Sequence, residues 1–129
     1  MREEEISQAV SKLFNNLFPN KVVRADRGEI GVYDIEDSYS TNYKQSCHIQ
    51  VLCDEDSEEY YTKLGHCLEN CVWNKVPTYI AAPHDYPFLS KLEPVISAIK
   101  LPVGLIIVDE DGKADVARPG LLKIQDWMF

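Results

Sequence analysis

The sequence predicts an α/β domain with a central β-sheet of mixed direction flanked by helices. Three observations lead there. Apolar residues recur at helical spacing over residues 2 to 18 and again over 57 to 74. Short β-branched runs, bounded by Gly, Pro and Asp, lie between and after those helices. Two of the runs, within 77 to 83 and 103 to 109, are apolar on both sides, as strands covered on both faces tend to be. Tight turns join antiparallel strands and helical crossovers join parallel ones, so the order α-β-β-β-α-β-α-β-β requires both directions in one sheet.

The first helix has Ile6, Val10, Leu13, Phe14 and Leu17 on one face. Glu3, Glu4 and Glu5 fall in its first turn, where the helix dipole favours negative charge, and Pro19-Asn20 ends it. Lys21-Val22-Val23-Arg24-Ala25 and Glu29-Ile30-Gly31-Val32-Tyr33-Asp34-Ile35 flank Asp26-Arg27-Gly28, which reads as a hairpin turn. Asp34 falls at the end of the second strand, where an unpaired carboxylate among apolar neighbours would be costly. The other reading ends that strand at Tyr33 and starts an exposed acidic loop with Asp34, Glu36 and Asp37.

A polar loop over residues 38 to 44 leads into Gln45-Ser46-Cys47-His48-Ile49-Gln50-Val51-Leu52-Cys53. Strict alternation puts Cys47, Ile49, Val51 and Cys53 on one side of this third strand and His48, Gln50 and Leu52 on the other. Asp56 is placed to cap the next helix, with Glu59 three residues on. Tyr61, Leu64, Leu68, Cys71 and Val72 are expected to face inward from it. Pro77 to Pro83 is the fourth strand. Asp85 is expected to cap a helical segment with Phe88, Leu89, Leu92, Val95, Ile96 and Ile99 inward, kinked or split at Pro94 because proline lacks the backbone donor. Val103 to Asp109 and Lys113 to Arg118 are the last strands, turned by Asp109-Glu110-Asp111-Gly112. The apolar tail from Leu121 to Phe129 is expected to pack on the first helix or on a partner subunit.

At 129 residues and 45% hydrophobic, the chain reads as a single domain, 1–129, with one core. A net charge of −8 opposes non-specific attraction to phosphate backbones, so a nucleic-acid ligand would need a local basic patch such as Lys21, Arg24, Arg27 and Lys44. No apolar run approaches the ~20 residues that span a bilayer, so no membrane association is expected. The start lacks the apolar stretch of a secretory signal, and a soluble cytoplasmic protein is the expectation. The four cysteines include no CxxC pair and read as free thiols rather than as a metal site with His66.

Several stretches together resemble the PD-(D/E)XK nuclease-like (restriction-endonuclease-like) superfamily. Its core is α-β-β-β-α-β, with an acid at the end of the second strand and Glu-x-Lys on the third. Val32-Tyr33-Asp34-Ile35 matches the strand with the first acid, and Ile49-Gln50-Val51-Leu52 falls where a run like Ile-Glu-Val-Lys is usual. Leu64-Gly65-His66-Cys67-Leu68 resembles the following helix, and Pro77 to Pro83 and Gly104 to Gly112 resemble the later strands. In that family two carboxylates and a carbonyl hold Mg²⁺ beside the scissile phosphate, the metal acidifies the attacking water, and the lysine orients it.

The resemblance thus implies a metal site at Asp34 and Gln50; His48, on the same strand side as Gln50, and Lys63, on the next helix, join them by position as a candidate or vestigial catalytic set. The chain departs from the pattern twice, with Gln50 in the place of Glu and Leu52 in the place of Lys. Losing one preorganised electrostatic group commonly costs about 10² to 10³ in rate, so two losses point to a degenerate site. The function expected is a nuclease-fold domain that has lost hydrolysis and acts by binding or as a scaffold, with another protein or further copies of itself as partner. No cofactor is then required.

One alternative is an active Mg²⁺-dependent nuclease with Lys44 or Lys63 as relocated cation and Glu36 or Glu5 as relocated carboxylate. Another is an acidic inhibitor or immunity-type protein using Glu36, Asp37, Asp54, Glu55, Asp56, Glu58 and Glu59.

Overall fold

The computed structural model describes residues 1–35, 43–53, 56–73, 76–98 and 103–118. Within them the chain runs α1 (Glu3–Leu17), β1 (Val22–Asp26), β2 (Glu29–Ile35), β3 (Tyr43–Val51), α2 (Ser57–Val72), β4 (Thr78–Pro83), α3 (Leu89–Ala98), β5 (Val103–Val108) and β6 (Ala114–Arg118). The six strands form one sheet in chain order. β3, β4 and β5 are mutually parallel, and the β1–β2, β2–β3 and β5–β6 pairs are antiparallel. The expected mixed α/β architecture is therefore present. Among the described residues no helix is long and apolar enough to cross a membrane.

Alternation along the strands divides the interior into two layers. On one face Ile6, Val10 and Phe14 of α1 pack on Ile30, Val32, Cys47, Ile49, Val51, Tyr79, Ala81, Ile106 and Val108. On the other, Tyr60, Cys67 and Cys71 of α2 and Leu92 and Ile96 of α3 pack on Ile80, Ala82, Val103 and Leu105. β4 supplies both layers and is buried along its whole length, with the Thr78 hydroxyl satisfied by donating to the Val76 carbonyl oxygen at 2.7 Å.

The β1–β2 hairpin is closed by Arg27 and Gly28, both at positive φ (49° and 81°). These are the angles of a type I′ turn, whose twist matches the flanking strands. Gly28 suits the left-handed angle, and the Glu3 carboxylate lies against it, its Cδ 2.9 Å from where a Cβ would stand. The turn sets Asp26 opposite Glu29, and on its other edge β2 pairs with β3 so that Glu29 lies opposite Gln50 and Gly31 opposite His48. Toward the start of β3 the pairing shifts between Val32 and Tyr33, so that Tyr33 pairs with Gln45 and Ser46 is the extra residue. Gln45 is thereby moved onto the face of His48 and Gln50.

Four local expectations are corrected. The buried stripe of α2 is Tyr60, Cys67 and Cys71, whereas Tyr61 and Val72 are exposed. Tyr60 wins because its ring stacks on Phe88 (centroids 4.8 Å apart) and lies beside Tyr86, filling the space between α2 and the turn that precedes α3. Val95 is likewise exposed, since the short α3 buries only the Leu92 and Ile96 side of its surface. Pro94 neither splits nor ends α3. Both Pro94 and Ser90, four residues earlier, face solvent, so water can take the carbonyl that the missing N–H leaves open. Asp85 lies in an exposed turn and α3 begins only at Leu89.

Asp56 caps α2 as expected, accepting from the Glu58 N–H at 3.0 Å. Cys47, Cys53, Cys67 and Cys71 are all free thiols. The acidic positions Glu36, Asp37, Asp54 and Glu55, the side chain of Lys44, Ile99 and the tail from Leu121 lie outside the described residues.

Candidate functional site

β2 and β3 place the side chains on which any site here depends. Odd-numbered residues of β2, Glu29, Gly31 and Tyr33, share the α2 face with His48 and Gln50, while Ile30 and Val32 enter the α1 layer. Asp34 has the parity of Ile30 and Val32, so it lies on the α1 side of the sheet. Lys21 pairs with it there, and the Lys21 ammonium also stands 5.8 Å from the Phe18 ring centroid. Asp34 and Gln50 are thus on opposite faces of the sheet and do not converge.

Gln50 is buried, and its amide N–H groups donate to the carbonyl oxygens of Gly28 (3.2 Å) and Val51 (3.3 Å). The Gly28 carbonyl accepts from the Val51 N–H as well, at 2.8 Å. Gln50 is therefore bonded into the hairpin turn. Leu52 is fully buried in the layer beneath α2 and α3, two residues on. Lys63 projects from α2 toward the first turn of α1, where its Nζ stands 3.7 Å from Glu3 Oε2. Glu3 in turn abuts Gly28. The carboxylate beside Lys63 is Glu3, and Glu5 is exposed.

His48 is 6% exposed, and its Nε2 has no hydrogen-bond partner. The carboxylate of Glu29 reaches toward it, with Oε1 3.6 Å from His48 Nε2 and 3.7 Å from Nδ1 of His66 on α2. One oxygen is therefore shared between two imidazoles from different elements. Arg24, Asp26, Gly31, Tyr33, Gln45 and Asn70 line the rest of an open cleft of about 510 Å³ over these groups. The Tyr33 phenol packs against Gly31, where a Cβ would stand 2.5 Å from it. As the side chains stand, no three His, Cys, Asp or Glu among the described residues are arranged to enclose a metal ion.

Burial pushes the His48 pKa down, against an upward pull from Glu29 and with a further downward push from His66. Its folded-state value lies below the ~6.5 of an unfolded chain. Between the two values the unfolded state binds more protons, so stability falls as pH drops through that window and is fully present above it. We expect His48→Gln to flatten the fall in melting temperature between about pH 7 and pH 5.5. Parallel profiles for the two proteins would contradict the assignment.

No family model, curated protein or solved structure matches this chain significantly. Of the residues singled out in the sequence, His48 and Gln50 share a face and Lys63 stands with Glu3, whereas Asp34 is engaged elsewhere by Lys21. Glu29 and Glu3 were not singled out. Strand parity carried the signal for Glu29, since it alternates with Ile30 and Val32 just after the Gly28 turn.

Proposed function

We propose that this chain is a PD-(D/E)XK nuclease-like domain that does not hydrolyse phosphodiesters and acts by binding, as a partner-recognition or scaffold module. The order α1-β1-β2-β3-α2-β4 supports the ancestry, being the order of that superfamily's core. The observation that carries the loss of hydrolysis is the state of β3. Gln50, where the acid is expected, spends both amide hydrogens on the Gly28 and Val51 carbonyls, and Leu52, where the lysine is expected, is sealed in the core.

A hard cation needs several oxygen ligands, preferably charged, at one point. Asp34 is held by Lys21 on the other side of the sheet, and Glu3 is held by Lys63. What remains is a stable sheet whose former reaction positions have become structural, which leaves recognition as the role. The net charge of −8 favours a protein over a nucleic acid as the partner.

Calorimetric titration with Mg²⁺ tests this reading. The expected result is no saturable heat at millimolar metal. Saturable binding that disappears in Asp34→Ala would overturn it.

A further inference from the structure

We propose that Glu29, His48 and His66 form a site for one divalent transition-metal ion of the zinc class. The inference does not depend on nuclease ancestry, and it concerns residues outside the positions that ancestry would make catalytic.

Two imidazoles and a carboxylate suit zinc, nickel or cobalt, whereas magnesium and calcium favour oxygen-rich sites. The three side chains come from three elements, the start of β2, the middle of β3 and α2, and they meet on one oxygen. With metal–ligand bonds of about 2.0 to 2.2 Å, neighbouring donors of a tetrahedral site stand roughly 3.3 to 3.5 Å apart. The two nitrogens stand 3.6 and 3.7 Å from Glu29 Oε1. The set is therefore open, and a contraction of a few tenths of an ångström brings these two edges to the required length.

The burial pattern allows that contraction. His48 is fixed in the sheet, while the His66 and Glu29 side chains are 63% and 43% exposed and free to turn toward it. His48 supplies the independent observation. Its Nε2 is buried without a hydrogen-bond partner and faces the cleft, a cost that a bound ion would remove. The cleft gives the ion a path from solvent. It also leaves the fourth coordination position facing open space, where a water or a donor from a bound partner completes the tetrahedron.

The test is calorimetric titration of the full chain with Zn²⁺ alone, under a non-chelating reductant, followed by Co²⁺ absorption spectroscopy. The expected result is one ion per chain and a tetrahedral cobalt spectrum with no thiolate charge-transfer band. His66→Ala and Glu29→Gln are each expected to weaken binding at least about tenfold, since losing even an outer partner of a ligand costs about 10- to 100-fold. Both are surface changes, and circular dichroism will show that the fold is retained.

Absence of saturable Zn²⁺ binding would overturn the proposal. So would binding of unchanged strength in His66→Ala, or a thiolate band placing the ion on cysteines. The Mg²⁺ titration has its own outcome, so failure here and failure of the non-hydrolytic reading are told apart.

Discussion

Phe14→Ala is expected to lower the free energy of unfolding by about 3 to 5 kcal/mol, a large part of the ~5 to 15 kcal/mol available to a domain of this size. Phe14 is completely buried and is the central knob of the α1 layer. Its ring stacks on Phe18 and meets Tyr79 of β4 edge-on, each with centroids 6.0 Å apart. Truncation removes the transfer energy of the ring and leaves a void bounded by a helix and a sheet, neither of which can close over it alone. Trp73→Ala, at a side chain 80% exposed, is the comparison and should change stability by no more than about 0.5 kcal/mol. In urea unfolding, a shifted midpoint at constant slope for Phe14→Ala and none for Trp73→Ala is the expected pattern.

Leu52→Lys is expected to be at least as damaging, although it restores the residue that the nuclease pattern calls for. Leu52 is fully buried with Tyr60, Ile80 and Leu92 in the same layer. An ammonium placed there must lose its proton or force the layer open. A fully buried lysine has its pKa lowered by up to about 3 to 5 units, which amounts to about 4 to 5 kcal/mol at pH 7, where the cost is capped by loss of the proton. The sign can be tested directly. The folded pKa lies below the unfolded value of about 10.4, so the penalty is large near neutrality and shrinks as pH rises toward 10.

Gln50→Glu adds a separate cost. A carboxylate cannot donate to the Gly28 and Val51 carbonyls, and it would sit opposite Glu29. Unsatisfied buried groups cost about 1 to 3 kcal/mol each. The double variant should therefore fold poorly at neutral pH and recover in part at high pH. Full stability at neutral pH would mean that β3 is not locked as described.

Much of the fold was legible because periodicity reports burial. The two-sided apolar runs gave β4 and β5, and Arg27-Gly28 marked the hairpin turn. The division of β3 into a Cys47-Ile49-Val51 side and a His48-Gln50-Leu52 side also stands in the structure. Finer features depended on contacts that no local pattern encodes. α2 carries two apolar stripes, and only the position of Phe88 and Tyr86 selects Tyr60 over Tyr61. The extra residue Ser46 changes the face of Gln45, and nothing in Gln45-Ser46-Cys47 announces it.

The candidate site was less legible for a different reason. The nuclease resemblance implied a metal at Asp34, but its parity with Ile30 and Val32 places it with Lys21 on the far side of the sheet. Glu29 was overlooked because it follows a turn, where acids are common. Only the hairpin register shows that it faces β3 at Gln50, beside His48.

The most direct measurement is a single-turnover hydrolysis assay, with protein in excess over labelled duplex DNA, single-stranded DNA and RNA, in Mg²⁺ and in Mn²⁺. Single-turnover conditions detect even slow chemistry that product release would hide. All three substrates are expected to stay intact, with the same background for the unaltered chain, Asp34→Ala and Lys63→Ala. Metal-dependent cleavage by the unaltered chain that disappears in Asp34→Ala or Lys63→Ala would contradict this expectation.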